Sequence, residues 1–339
     1  MLIDALTQLG HLQTESGQAT KAIAKFEQAL GLAVTIKDQP RTMHLAGKLG
    51  QLFLGLSSLE KAVDYFALAQ QAATDLDQQN AVCSYKMSIG QAYLLNEQLD
   101  TARELFEEAL ALATELDMTA AELHAIVGLI RTYITADNKS MVLIYGDNAL
   151  RLAQSLADHN SEMTVLNLLT SYLLGHNQFK KVLPYLKQGL ALAEKLQDWQ
   201  WQLTMQDHLG LVSYQLNQLP EARQAYESAL ETALRLQDPA AAAQLYGRLS
   251  AVLAEQEQMD DAIKAAQQAL KLAEQQENGY LVGEQQIMLA FAYAEQDNLP
   301  QAIQYCQDAV ATFQQLNDVD QQAKAETMLA ELNQLTQPA

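Results

Sequence analysis

The chain has 339 residues, and its 21 Lys and Arg against 41 Asp and Glu give a formal net charge of −20 with neutral histidines. Such an acidic chain is not suited to nucleic acid or an anionic membrane as its main partner, because both require clustered basic side chains. Its 49% hydrophobic content excludes a disordered protein, and only 15 Gly and 6 Pro leave few residues for tight turns. The composition therefore predicts an all-α protein.

The predicted elements follow one scheme from the first residue onward. Residues 1–16 form a helix that ends at the turn Glu15-Ser16-Gly17, and a second helix carries Phe26. The same helix pair then returns with a period of 40 residues, which predicts eight helix-turn-helix repeats over residues 1–318. An unpaired helix at 319–336, with Lys324 on a polar outer face, is expected to cap the array, and residues 337–339 form a tail.

Small residues recur at fixed positions of both helices. A small residue follows the Leu or Ile of the first helix in most repeats, as in Leu49-Gly50 and Ile89-Gly90. The first small column of the second helix reads Ala29, Ala69, Ala109, Ala149, Gly189, Ala229, Ala269 and Ala309. Two helix axes can approach closely only where side chains are small, so these columns predict the helix contacts.

These columns resemble the tetratricopeptide-repeat (TPR) family, whose pattern is a Leu-Gly pair, an aromatic three residues on, and then Ala, an aromatic and Ala in the second helix. The second repeat meets this pattern at Leu49, Gly50, Phe53, Ala62, Phe66 and Ala69. The usual period of the family is 34, and the period of 40 resembles the subgroup of kinesin light chain and the Leu-Gly-Asn-type adaptors. Two departures are Gly146 and Ala266, which replace the second-helix aromatic. The resemblance implies an α-α superhelix, a TPR solenoid.

The resemblance also implies where a partner binds, because TPR proteins usually hold peptides on a concave wall lined by the first helix of each repeat. The inward positions of the middle repeats form an apolar patch with polar neighbours, the expected footprint for an amphipathic helix or an extended peptide. The predicted partner-binding residues are Leu54, Met87, Leu94, Val127, Arg131, Ile134, Asn167, Leu174, Leu211 and Tyr214. The alternative is that several of these side chains pack against the adjacent helix as core.

Other kinds of site lack support in the sequence. The family's carboxylate clamp needs Lys and Asn where this chain has pairs such as Gly47 with Gln51. The six histidines are dispersed, and Cys83 and Cys306 belong to no metal-binding or disulfide spacing. No nucleophile has an adjacent base and no glycine-rich phosphate loop occurs, so we expect neither an enzyme nor a cofactor.

The sequence thus predicts a non-catalytic scaffold that binds a protein or peptide partner in its groove. No stretch approaches 18 uninterrupted apolar residues and the N-terminus lacks a basic signal-peptide start, so a cytoplasmic protein without a membrane span is expected. Two alternatives stay open. The abrupt start favours a peptide-sensing module joined to a preceding domain of a larger signalling protein. The uncapped first helix also allows end-to-end self-association.

Overall fold

The computed structural model describes residues 1–335, so the predicted tail at 337–339 lies outside the described residues. Within this range the chain forms 17 α-helices and no strand. The helices are α1 (Leu2–Glu15), α2 (Ala19–Thr35), α3 (Gln39–Gly55), α4 (Leu59–Asp75), α5 (Gln79–Leu95), α6 (Leu99–Glu115), α7 (Thr119–Thr135), α8 (Lys139–Ser155), α9 (His159–Gly175), α10 (Phe179–Leu196), α11 (Trp199–Gln215), α12 (Leu219–Arg235), α13 (Pro239–Glu255), α14 (Met259–Gln275), α15 (Gly279–Glu295), α16 (Leu299–Leu316) and α17 (Val319–Leu335). Odd-numbered helices are the first helices of the repeats, and even-numbered helices are the second.

The links between helices share one geometry, which fixes the repeat length. One residue of each link has a left-handed backbone, and these residues follow one another every 20 positions from Gly17 to Asn317. At Lys37 (φ 57°), for example, the Lys37 N–H donates to Val34 O at 3.1 Å and the Asp38 N–H donates to Ala33 O at 2.9 Å. This is the Schellman arrangement, which satisfies carbonyls at a helix end. The predicted 40-residue period is thus confirmed as two 20-residue steps.

Many first helices begin at a capping side chain. Asp38, Asp198 and Asn278 each accept a hydrogen bond from the backbone N–H three residues later, at 3.0 to 3.2 Å. Such a cap contributes about 1 kcal/mol to helix stability because it satisfies an amide that has no partner within the helix. The start of these helices is therefore encoded locally.

Within a repeat, the small residue of the first helix lies against the aromatic ring of the second. A Cβ added at Gly50 would lie 2.5 Å from Cδ1 of Phe66, and one added at Gly210 would lie 2.4 Å from Cδ1 of Tyr226. Phe66 and Tyr226 are 1% and 2% exposed. The prediction that small columns allow close helix contact is thereby confirmed.

The departure at Gly146 has a structural explanation. Leu169 of α9 occupies the space that an aromatic of α8 would fill, since a Cβ at Gly146 would lie 2.5 Å from Cδ2 of Leu169. Leu169 is fully buried. The space that an aromatic of the second helix fills in other repeats is therefore filled here by an aliphatic side chain of the following first helix.

The chain divides into two compact units, Met1–Tyr172 and Leu173–Ala339, and the division falls within α9. The first unit has a core around Phe26, Leu45 and Phe66, and a core of the second unit surrounds Tyr226 and Leu245. At the end of the second unit α17 packs on α16 and leaves Lys324 exposed.

Candidate partner-binding site

The apolar residues predicted to bind a partner in the first unit are mostly half-buried. Leu54 packs against the Phe26 and Phe66 core, and Met87 packs against the buried Cys83, Ala109 and Ala125. Leu94 is only 8% exposed, because α5 packs directly on α7. Val127 and Ile134 are also half-buried. These side chains therefore combine core contacts with a limited accessible surface, and their role in partner binding stays a prediction.

The polar members of the predicted set lie at the surface of the first unit. Arg131 on α7 and Asn167 on α9 are both exposed. A cavity of about 360 Å³ lies between α1 and α3, where Arg41 forms ion pairs with Asp4 at 2.9 Å and Asp38 at 2.6 Å. The Arg41 guanidinium lowers the pKa of Asp38 through these hydrogen bonds. Charged and polar side chains of α1, α3, α7 and α9 therefore contribute to the accessible surface of the first helices in this unit.

In the second unit, the predicted residues Leu174, Leu211 and Tyr214 are half-buried. Tyr214 on α11 packs against the core around Tyr226, and its hydroxyl donates a hydrogen bond to the carboxylate of Glu255 on α13. Burial, together with this hydrogen bond, raises the pKa of Tyr214 to about 12. Tyr214 thus links α11 to α13, the first helix of the next repeat.

A polar site that the sequence did not single out lies on α11, α13 and α15. Arg248 of α13 donates a hydrogen bond from Nη1 to the Asp207 carboxylate of α11. The Arg248 side chain is 38% exposed, so the ion pair is accessible from solvent. The hydrogen bond and charge of Asp207 raise the pKa of Arg248 even though burial opposes them. The guanidinium is therefore a charged and oriented group at this surface.

Two cavities adjoin this ion pair. One of about 460 Å³ lies between α13 and α15 and is lined by Arg248, Gln244 and the exposed ring of Tyr280. The other, of about 180 Å³, lies between α11 and α13 and is lined by Asp207 and again Gln244. We call Asp207, Gln244, Arg248 and Tyr280 the Arg248 site. An accessible aromatic beside an oriented arginine and an amide can bind both the side chains and the backbone of a peptide.

Gly247 and Gln285 shape the floor of the larger cavity. Gln285 of α15 is 5% exposed, and its Nε2 lies 2.7 Å from where a Cβ of Gly247 would be. Among the described residues, no donor reaches its buried Oε1. A buried unsatisfied amide oxygen costs about 1 to 3 kcal/mol. Gly247 therefore accommodates a polar side chain at a position where an apolar one would be more stable.

The sequence contained a weak signal for the Arg248 site. Asp207, Gln244 and Glu284 occupy inward columns of the repeat, and Lys48 and Arg248 are the basic residues on the neighbouring column. Asp207 and Arg248 are 41 residues apart, one repeat plus one residue. A search for opposite charges at this spacing would have paired them.

Metal-ligating side chains do not cluster among the described residues. Within residues 1–335, no group of three His, Cys, Asp or Glu side chains converges on a common point. Both cysteines are buried thiols, and burial raises the pKa of each. Across the same residues, no helix has the length and apolar character needed to cross a membrane.

Four family models match the chain, each described as a tetratricopeptide repeat, at residues 7–77, 84–115, 201–275 and 285–323. The chain is a tetratricopeptide-repeat protein. No curated protein matches the sequence. The family assignment confirms the predicted fold, and TPR repeats are typical of protein-protein interaction.

Solved structures share the fold of this TPR protein. The apo form of RapI aligns over 98% of both chains with 11% identity and a TM-score of 0.64. A Signal Transduction ATPase with Numerous Domains from Pyrococcus horikoshii, which has a TPR sensor, aligns over 96% of this chain with 14% identity and a TM-score of 0.60. BtubC from P. vanneervenii aligns over 66% of this chain and 92% of its own, with 20% identity and a TM-score of 0.53. The chain spans half the length of the archaeal ATPase.

Proposed function

We propose that the protein is a non-catalytic scaffold that binds a peptide or helix of a partner protein along the surface formed by its first helices. The observation that carries this proposal is the Arg248 site, where an accessible tyrosine, an oriented arginine and a glutamine amide line a cavity of about 460 Å³. Aromatic and arginine side chains dominate the energetics of protein interfaces. In the first unit, we expect the predicted groove residues, Arg131 and Asn167 above all, to offer partner contacts of their own.

The Arg248 site favours a segment with particular chemistry. Asp207 already neutralises Arg248, so the site does not select strongly for an acidic partner. The Tyr280 ring offers an apolar face, and the Gln244 amide can both donate to and accept from a peptide backbone. We therefore expect a neutral or mildly basic segment with one apolar anchor, which also suits the net charge of −20.

A peptide selection tests this proposal. Peptides displayed on phage would be selected on the full chain and their affinities measured by fluorescence anisotropy. Tyr280→Ala and Arg248→Ala are each expected to weaken a selected peptide about fivefold or more, the loss of 1 kcal/mol or more typical of an important interface residue. Leu234→Ala is the control, because Leu234 is an exposed apolar residue on the second helix α12. Equal affinity for all variants would contradict the proposal.

A second candidate function is a peptide-sensing module of a larger signalling protein. The likeness to the archaeal ATPase supports it, since that protein has a TPR sensor and this chain covers half of its length. A gene product carrying a further effector domain, whose activity changes when the selected peptide is added, would support the sensor. A gene product of this chain alone would favour the scaffold.

Self-association is a further proposal, which rests on α1. Leu9 and Leu12 are 41% and 62% exposed, although Leu49, at the position of Leu9 in the next repeat, is fully buried. A second copy could cover this surface. Light scattering over a concentration series would show a dimer that Leu12→Glu disrupts. The two buried free cysteines support a reducing compartment, and we propose a cytoplasmic location on that basis.

A further inference from the structure

A ring-on-ring contact recurs between the two helices of several repeats. Phe53 and Tyr65 stack with ring centroids 5.4 Å apart and an interplanar angle of 4°. Tyr133 and Tyr145 stack at 5.5 Å, and Tyr293 and Tyr305 stack at 5.7 Å. Such pairs add about 0.5 to 1.5 kcal/mol beyond the area they bury. The stacked pair therefore contributes to the packing of the second, fourth and eighth repeats.

The sixth repeat lacks both members of this pair. By the 40-residue period, Ser213 stands at the position of Phe53 and Ala225 at the position of Tyr65. It is the one repeat of the eight in which both positions carry small side chains. A cavity of about 480 Å³ lies at this place, between α10, α11 and α12. Ser213 and Ala225 both line this cavity, at the positions where the second repeat has two stacked rings.

The cavity has apolar walls and polar groups at its base. Leu183, Leu190 and Leu209 line it, and all three are half-buried. Gln206 and Ser213 are 7% and 6% exposed. The Oε1 of Gln206 accepts a hydrogen bond from Thr232 at 2.9 Å. Among the described residues, neither the Nε2 of Gln206 nor the hydroxyl of Ser213 has a hydrogen-bond partner.

Charged side chains lie only on exposed parts of the cavity. Lys187, Glu194 and Glu221 line it and are all exposed, whereas the buried lining residues are neutral. A buried charge would need a buried counter-charge, so the base accepts an uncharged group. The cavity volume lies within the range of small-molecule sites, about 300 to 1,000 Å³. The cavity lies at the positions of two rings, not of one.

We propose that this cavity binds a small, neutral aromatic molecule of about two rings that carries one hydroxyl or carbonyl group. The rings would lie where the stacked pair lies in other repeats, against Leu183, Leu190 and Leu209. The polar group would accept a hydrogen bond from Gln206 Nε2 or Ser213. The site shares no lining residue with the Arg248 site, so it stands independently of the proposed partner binding.

The test uses 2-naphthol as the probe and the full chain. Binding is located by the ¹⁵N-labelled side-chain amide of Gln206 in NMR, and affinity is measured by calorimetry. We expect a saturable shift of the Gln206 amide. Naphthalene, which lacks the hydroxyl, should bind about two- to tenfold more weakly, the ratio that one net hydrogen bond of 0.5 to 1.5 kcal/mol gives.

Ala225→Tyr restores a ring seen in other repeats and should weaken 2-naphthol binding at least about tenfold. Ser84→Tyr adds the same ring at an exposed position of α5 and serves as the matched control with unchanged affinity. If Ala225→Tyr does not fold, Ser213→Phe fills the cavity from the other helix. The absence of a saturable Gln206 shift in the wild-type chain would overturn the proposal, and so would equal affinity in the filled variant.

Discussion

Asp207 and Arg248 join two first helices of consecutive repeats through an ion pair, in which Arg248 Nη1 donates to Asp207 Oδ1. Their side chains are 24% and 38% exposed, so solvent screens the attraction between them. The pair therefore orients the arginine more than it stabilises the fold.

A double-mutant cycle of Asp207→Asn and Arg248→Gln separates these two effects. For a partly exposed pair, the coupling in the free energy of unfolding is expected to be about 0.2 to 1 kcal/mol, measured by urea denaturation. Asp207→Asn should weaken the binding of a selected peptide by more free energy than this coupling contributes to folding, because the guanidinium loses its orientation. A coupling of several kcal/mol with unchanged affinity would assign the pair a structural role instead.

The contact between Gly50 and Phe66 predicts opposite effects for two glycine substitutions. Gly50→Ala should lower the free energy of unfolding by about 1 to 3 kcal/mol, because the new Cβ would lie 2.5 Å from the buried ring. Gly31→Ala is the control, since no atom lies within 4 Å of its Cβ position on α2. That change should stabilise by about 0.5 to 1 kcal/mol through helix propensity. Effects of the same sign in urea unfolding would contradict the proposed packing.

The left-handed link at Ala157 can be improved by glycine. Ala157 has φ 52° and an exposed side chain, and an L-residue there costs about 1 to 2 kcal/mol that glycine avoids. Glycine also makes the unfolded chain more flexible, which offsets part of this gain. Ala157→Gly should therefore raise the free energy of unfolding by about 0.5 to 1 kcal/mol. The control Ala136→Gly, at an exposed position with φ −79°, should give no gain. Thermal and urea unfolding would both register the difference.

His208 predicts a sensitivity of the fold to acid. Burial lowers the pKa of His208 below its usual 6.5; Arg248 adds to this effect and Asp207 opposes it. The unfolded chain therefore binds a proton at His208 at a higher pH than the folded chain does. Stability should fall as the pH drops below about 6.5, by at most about 1.4 kcal/mol per pH unit for one proton.

The comparison of wild type with His208→Gln isolates this contribution. Urea unfolding at pH 7.5 and 5.5 should show a smaller loss of stability for the variant over this interval. The same loss in both proteins would show that His208 does not contribute to the acid sensitivity.

The repeat architecture was predictable because it is encoded in columns that one sequence displays eight times. Phe66, Ala69 and Gly50 define their contacts through size alone, and the structure places them accordingly. The left-handed links were less visible, because glycine stands only at Gly17 and the later links carry Asn, Asp or other side chains. At Lys37 and the later links, hydrogen bonds to the helix end impose the conformation.

The candidate site was harder to predict because it depends on how neighbouring repeats rotate against each other. The columns assign Leu94 to the inner wall, yet the packing of α5 on α7 leaves it 8% exposed. The same geometry brings Asp207 to Arg248, a contact between repeats that the columns of a single repeat do not contain. The inward residues could be identified from the sequence, whereas their exposure and pairing required the structure.

The most direct measurement is photo-cross-linking from the proposed binding surface. Tyr280→p-benzoylphenylalanine and, as the matched control on a second helix, Leu234→p-benzoylphenylalanine would be irradiated in lysate of the source cell. Partner binding along the first helices predicts a discrete cross-linked protein from position 280 that an excess of a selected peptide removes, and none from position 234. Cross-linking from position 234 alone, or a product at 280 that the peptide leaves unchanged, would contradict partner binding along the first helices.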